Sequence, residues 1–150
     1  HPSKYGGSEL SHAKRMAAME SLSNLCDSLG SSKKVVMGDF NDVPSAEQFN
    51  ILKNILINKA ADLYNDGAGT IRYKGKWDLI DMFMVDGSLD SLSHMDIVHI
   101  PFLMTYDRSY PGYKPLRTYS GPKYLGGVSD HCPIILKILL PLRAFKVTTL

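Results

Sequence analysis

The run Leu79-Ile80-Asp81-Met82-Phe83 constrains this chain more than any other segment. From Trp77 to Val85 most residues are apolar, which reads as one strand with Leu79, Ile80, Met82, Phe83, Met84 and Val85 mostly buried. A carboxylate inside such a run is costly to bury unless it has a partner. A histidine N–H is a good partner, because the bond also fixes the imidazole tautomer. Asp81 and His131 are therefore a plausible pair of orienting carboxylate and base, similar in logic to the catalytic triad. An aspartate on the solvent face of an edge strand would leave the same pattern.

The rest of the chain reads as alternating helices and strands. Apolar residues at Leu10, Ala13, Ala17, Leu22, Leu25, Cys26 and Leu29 predict an amphipathic helix from Leu10 to Leu29. Gly6-Gly7 forms a turn before it, with Ser8 as cap, and Gly30 is its stop. Val35-Val36-Met37 reads as a buried strand within Lys34–Phe40, and Val43-Pro44-Ser45 as a turn. Ser45 and Gln48 match a capping box for a second helix running to about Leu56. Further strands are expected at Ile71–Tyr73, Met95–Ile100 and Ile134–Leu140, with a turn at Gly75-Lys76. This order predicts layered α/β packing. A chain of 150 residues suggests one domain, residues 1–150, with a real core.

The segment from Pro101 to Val128 lacks periodicity and reads as a long loop, a length often tied to function. It interleaves Tyr106, Tyr110, Tyr113, Tyr119 and Tyr124 with Arg108, Lys114, Arg117 and Lys123. Aromatics and cations together suit phosphate and ring contacts. Arg117 and Tyr119 of this loop, with Arg72 of the short strand, are the candidate substrate-binding residues. A tyrosine-pinned surface loop accounts for the same composition. Net charge is +2, too small to argue for nucleic acid. No apolar run approaches the roughly 20 residues that span a bilayer. Cys26 and Cys132 read as small buried hydrophobes rather than a disulfide.

Two polar motifs sit at strand boundaries. Gly38-Asp39-Phe40-Asn41 follows an apolar strand, where Asp39 could hold a hard cation such as Mg²⁺ and Asn41 could reach a phosphate oxygen or an attacking water. An Asx turn leaving a strand uses the same residue types. Ser129-Asp130-His131 precedes the last strand, offering a second carboxylate and a group that titrates near neutrality. A histidine packed in a loop is the bland alternative.

Taken in order, Val35-Val36-Met37-Gly38-Asp39-Phe40-Asn41-Asp42, Lys76-Trp77-Asp78-Leu79-Ile80-Asp81 and Gly127-Val128-Ser129-Asp130-His131-Cys132-Pro133-Ile134 resemble the endonuclease/exonuclease/phosphatase family, from His1 to about Leu140. That family includes pancreatic deoxyribonuclease, abasic-site endonucleases, neutral sphingomyelinases and inositol polyphosphate 5-phosphatases. The long loop resembles that of uncharacterised bacterial members, especially those of Bacteroidetes. The resemblance implies an α/β fold that is half of a four-layer α-β-β-α sandwich, with mainly antiparallel sheet and two main helices. It implies a site with one or two Mg²⁺ or Mn²⁺ ions. Carried over by motif, Asp39 and Asn41 sit at the scissile phosphate and Asp39 is also proposed to activate water. Asp130 joins Asp39 as a metal-side carboxylate, His131 transfers protons and Asp81 orients it. His1-Pro2-Ser3 resembles the family's His-x-Ser segment, which makes His1 a further catalytic candidate.

The family's principal metal-ligand glutamate and an asparagine near the metal lie upstream of the His-x-Ser segment and have no counterpart here. The expectation is a carboxy-terminal part of one domain, inactive alone, whose other half comes as another chain or whose exposed sheet face self-associates. The reaction expected of the whole protein is metal-dependent hydrolysis of a phosphodiester or phosphomonoester by in-line water attack. The competing reading is a member that binds a phosphorylated ligand without turnover. Nucleic acid, lipid and sugar phosphates all stay open as substrates, and the compartment, whether cytoplasmic, periplasmic or secreted, is not indicated.

Overall fold

In a computed structural model, which describes residues 8–139, the run holding Asp81 is the centre of the main sheet. It is not one strand from Trp77. The chain breaks at Leu79-Ile80, leaving β4 (Lys76–Asp78) in a hairpin with β3 (Ile71–Tyr73) and giving β5 (Asp81–Asp86) to a different sheet. Both break residues are buried, so the bend itself is packed into the core. β5 is flanked by β1 (Val35–Asp39) and β2 (Leu56–Asn58), both antiparallel to it. Met82, Phe83, Met84 and Val85 are all buried, so this strand is covered on both faces and reads as continuous rather than alternating. Each such side chain contributes about 1.5–3 kcal/mol.

The remaining strands are paired hairpins and crossovers. β6 (Ser93–Ile97) pairs with β11 (Ile134–Ile138), each shorter than the sequence suggests. Met19 and Cys26 of the long helix α1 (Ser8–Ser28) and Met95 of β6 share one core cluster with the β5 methionines. Cys26 and Cys132 are free and buried, and burial pushes the Cys132 thiol up to about 11.

Several expectations give way. β1 is not a buried strand: Val36 packs inward, while Val35 and Met37 are exposed on the other face. α1 forms where the periodicity places it but buries another stripe. Ser11, Arg15, Met19 and Cys26 face inward, and Leu10, Leu25 and Leu29 face out. The spacing of 11, 15, 19 and 26 is still helical. What tilts the stripe is Arg15, whose guanidinium pairs with Asp42 at 3.0 Å. The second long helix is absent. A short 3-10 turn at Glu47–Ile51 stands in its place and makes no side-chain cap. Gln48, expected in a capping box, instead donates to the Asp42 carboxylate at 3.0 Å and is buried, while Leu56 goes to β2. α2 (Ala61–Asn65) is a single short turn of helix.

The expected long loop is largely two hairpins. β7 (Met104–Asp107) pairs with β8 (Gly112–Pro115), and β9 (Tyr119–Ser120) with β10 (Lys123–Tyr124). Tyr106 stacks edge-on against Tyr113 and Tyr119 packs on Tyr124. No helix among the described residues is long and apolar enough to cross a membrane. The hairpin β3–β4 turns through Lys74 and Gly75, both with positive φ (48° and 84°). That is the primed geometry matching strand twist, for which Asn-Gly or Gly-Gly is the favoured pair. A lysine there costs roughly 1–2 kcal/mol.

Leu79 is fully buried at the bend that aims Asp81. Leu79→Ala is expected to lower unfolding free energy by about 2–5 kcal/mol in denaturant titrations. Phe102→Ala, at a side chain 76% exposed, is expected to change it by less than about 0.5 kcal/mol. Equal effects would contradict this placement of the core.

Candidate active site

Antiparallel pairing sets Asp39, the last residue of β1, directly opposite Asp81, the first residue of β5. Like charges facing each other across two strands destabilise the pair, so this position calls for a cation. A histidine supplies part of the answer. The Nδ1 atom of His131 lies 2.8 Å from Oδ2 of Asp81. Asp39, Asp81 and His131 each bring a ligand atom within 4.8 Å of the others. The pairing of Asp81 with His131 that the buried run called for is present.

Backbone contacts place the histidine. His131 bridges Ile71 of β3, and the Cys132 N–H donates to the Thr70 carbonyl at 2.7 Å. Thr70 is fully buried and its hydroxyl donates to Oδ2 of Asp81. Asp81 is thus held from two sides, by Thr70 and by His131. Sequence reasoning missed Thr70. The only signal was a buried-type hydroxyl beside a short strand, which is common elsewhere.

The Asp39 end is fixed by a turn. The Asn41 N–H donates to Oδ1 of Asp39 at 2.7 Å, with Asn41 at φ 53°, a conformation asparagine tolerates. The Asx turn expected of these residue types at a strand exit is formed here. Behind it, Asp42 accepts from Gln48, from the Val43 N–H and pairs with Arg15, anchoring the strand exit to α1. Asp42, Gln48 and Arg15 were not singled out as site residues, and no local spacing marks them.

Other candidates fall elsewhere. Asp130 is outside the three-residue cluster, and its carboxylate takes the Arg117 guanidinium in an ion pair. Partial burial works to raise its pKa, but the Arg117 bond, a backbone N–H and the nearby positive charge outweigh it and hold the carboxyl below its usual range. Arg72 and Arg117 line one cavity with Asp130. Tyr119 does not line it. Arg72 donates to the Tyr110 and Pro111 carbonyls at 3.0 and 3.1 Å, tying β3 to the β7–β8 hairpin. Gly112 lets it in, since a Cβ there would lie 2.9 Å from the guanidinium. His1 lies outside the described residues, as do Gly6 and Gly7.

Two carboxylates and one imidazole lie close enough together to hold one divalent cation, the oxygens being the donors that harder ions favour and the nitrogen one that transition metals take. The bond to Asp81 raises the His131 pKa, burial opposes it, and the negative charges of Asp81, Asp39 and Asp130 add to the rise. A raised folded value means the pairing stabilises the fold fully below the unfolded pKa, and that stability is lost as pH rises through the folded one. In the metal-free chain, imidazole NMR titration is expected to place the His131 midpoint above 6.5, and Asp81→Asn to lower it. Identical midpoints in the two proteins would refute the coupling.

Comparison with known proteins fits this geometry. The model of the endonuclease/exonuclease/phosphatase family matches residues 1–139. The fold is similar to the crystal structure of an endonuclease/exonuclease/phosphatase family protein from Bacteroides thetaiotaomicron, with a TM-score of 0.54 and 13% identity. The match covers 90% of this chain and 47% of that one, so the chain spans about half the length of that relative. No curated protein matches. With a family model that runs through all three strand-end motifs, the chain belongs to the endonuclease/exonuclease/phosphatase family.

Proposed function

We propose that this chain carries the proton-transfer side of a divalent-metal-dependent phosphoester hydrolase. The observation that carries the reading is the Asp39–Asp81–His131 cluster, with His131 bonded to Asp81 at 2.8 Å. The family's association with phosphoester hydrolysis supports it.

In this reading Asp81 keeps the His131 ring in one tautomer through Nδ1, leaving Nε2 to face the reacting group. His131 accepts a proton from the attacking water or stabilises the pentacovalent phosphorus species as water attacks in line. Asp39 sits at the scissile phosphate beside Asn41, and either Asp39 or His131 is the group that activates water. Arg72 and Arg117 face the substrate from the neighbouring cavity. Mg²⁺ or Mn²⁺ would be held on the Asp39 side and would supply neutralisation of charge developing on phosphate oxygens. Asp130, which pairs with Arg117, would be a further carboxylate able to hold the cation. His1 is proposed to reach the same phosphate.

In the intact enzyme, His131→Ala is expected to lower kcat by on the order of 10²–10⁴-fold on a generic phosphodiester with Mg²⁺ or Mn²⁺ present. Chelator is expected to abolish turnover. Near-full activity in the variant would remove His131 from the mechanism. Binding of the diester with no turnover of either protein would favour a phosphate-binding role instead.

The exposed side chains of Val35 and Met37 on β1 support a second part to this reading. We propose that they pack against the rest of the domain, brought by a separate chain, or against a second copy. Light scattering of residues 1–150 by themselves is expected to show association beyond a monomer. A stable, folded monomer would refute this.

A further inference from the structure

The turn that presents Asn41 is tied to the long helix far earlier in the chain. Asp42, the residue after Asn41, accepts from the Val43 N–H at Oδ1 and from the Gln48 side chain at Oδ2, both at 3.0 Å. The Arg15 guanidinium of α1 lies 3.0 Å from the same Oδ2. Arg15 is 8% exposed and Gln48 2%, so a charged pair is withdrawn from water here. Taking two charges out of water is expensive, and two apolar side chains of similar volume commonly pack as stably. What the ion pair adds is direction, because the carboxylate has to stay where the cation and the amide meet it.

Asn41 needs such direction. Its φ of 53° lies in the left-handed region, which asparagine tolerates alongside the right-handed one. A neighbouring constraint has to choose between them. On one side, the Phe40 N–H donates to the Ile80 carbonyl at 2.8 Å, and the Phe40 ring packs edge-on against Phe49 at 5.6 Å. On the other side stands Asp42, drawn towards α1 by Arg15 and towards the 3-10 turn by Gln48. In the resulting conformation the Asn41 N–H donates to Oδ1 of Asp39 at 2.7 Å. We propose that Arg15 is a positioning residue: through Asp42 it holds the Asp39–Asn41 turn in its reactive geometry, and so sets turnover rather than substrate binding. This rests on the hydrolase reading for what Asp39 and Asn41 meet. A displacement of about 1 Å at a reacting group costs on the order of 10²-fold in rate.

The test uses the intact protein with Mg²⁺ and bis(4-nitrophenyl) phosphate. It compares wild type with Arg15→Met and with the double variant Arg15→Met, Asp42→Asn. Arg15→Met is expected to lower kcat about 10- to 100-fold while KM changes by less than about threefold. It leaves Asp42 buried without its cation, so Tm falls. The double variant removes both charges, and the amide at position 42 still accepts from Val43 and Gln48. Its Tm is expected to return towards wild type while its kcat stays at the Arg15→Met level. Amide exchange followed by NMR, with neither metal nor substrate, gives a second readout. In the double variant the Asn41 amide is expected to exchange about tenfold faster than in wild type, with the Met84 amide at the centre of β5 unchanged. Recovery of kcat together with Tm in the double variant would overturn the proposal, since the pair would then only stabilise the fold. Unchanged Asn41 exchange, or a loss of activity carried by KM, would overturn it too. Absence of turnover by wild type would instead count against the hydrolase reading, and the exchange comparison would still decide this one.

Discussion

The site depends on the register of two strands. β1 and β5 pair so that Asp39 falls opposite Asp81. Side chains alternate faces along a strand, so a slip of one residue would turn one carboxylate away from the other. Nothing in the polar residues themselves enforces that register, since two facing carboxylates repel. It is enforced by the apolar part of the same ladder, where Val36 lies opposite buried Met84 and the whole of Met82 to Val85 is packed. The hydrophobic core thus holds the two carboxylates side by side, and the Asn41 N–H, the Thr70 hydroxyl and His131 meet them there. The bond to Asp81, with the surrounding negative charge, raises the His131 pKa despite burial.

The second requirement is to bring a residue from far along the chain to that point. His131 is 50 positions from Asp81 in sequence. It arrives through the β3 strand, by the bridge to Ile71 and the Cys132–Thr70 backbone bond. Thr70 therefore does two things: its carbonyl positions the segment carrying the histidine, and its hydroxyl holds the carboxylate that the histidine meets. A threonine in that place couples the backbone path to the side-chain geometry, so the site stays aligned without a disulfide or a rigid helix.

The sequence shows some of this and not the rest, for physical reasons. Asp81 and His131 could be paired in advance because an acid in an apolar run has few ways to be satisfied. The strand ends at Asp39 and before Ile134 were legible from short β-branched runs. The break at Leu79-Ile80 was not, because both residues are as apolar as the strand they interrupt and no glycine or proline marks the bend. The second helix was overestimated because a capping-box spacing says nothing about a competing acceptor, and Asp42 took the Gln48 side chain. The buried face of α1 was misplaced for the same reason: a long-range ion pair to Asp42 pulls Arg15 inward, where hydropathy would put a leucine.

The two hairpins between Met104 and Tyr124 explain why chemistry was easier to read than substrate. Tyr106, Tyr110, Tyr113, Tyr119 and Tyr124 are all substantially exposed and only Pro115 of these strands is buried, so they leave no period-two pattern of buried apolar residues. Their structure comes instead from local pairing, tyrosine contacts and the Arg72 bonds to the hairpin tip. Asp39 and Asp81 lie at the ends of a packed sheet, where the core dictates their positions. The cavity wall formed by Arg72, Lys114 and Arg117 lies on elements the core does not dictate. Changes in the hairpins can therefore be made while the Asp39–Asp81 register stays fixed.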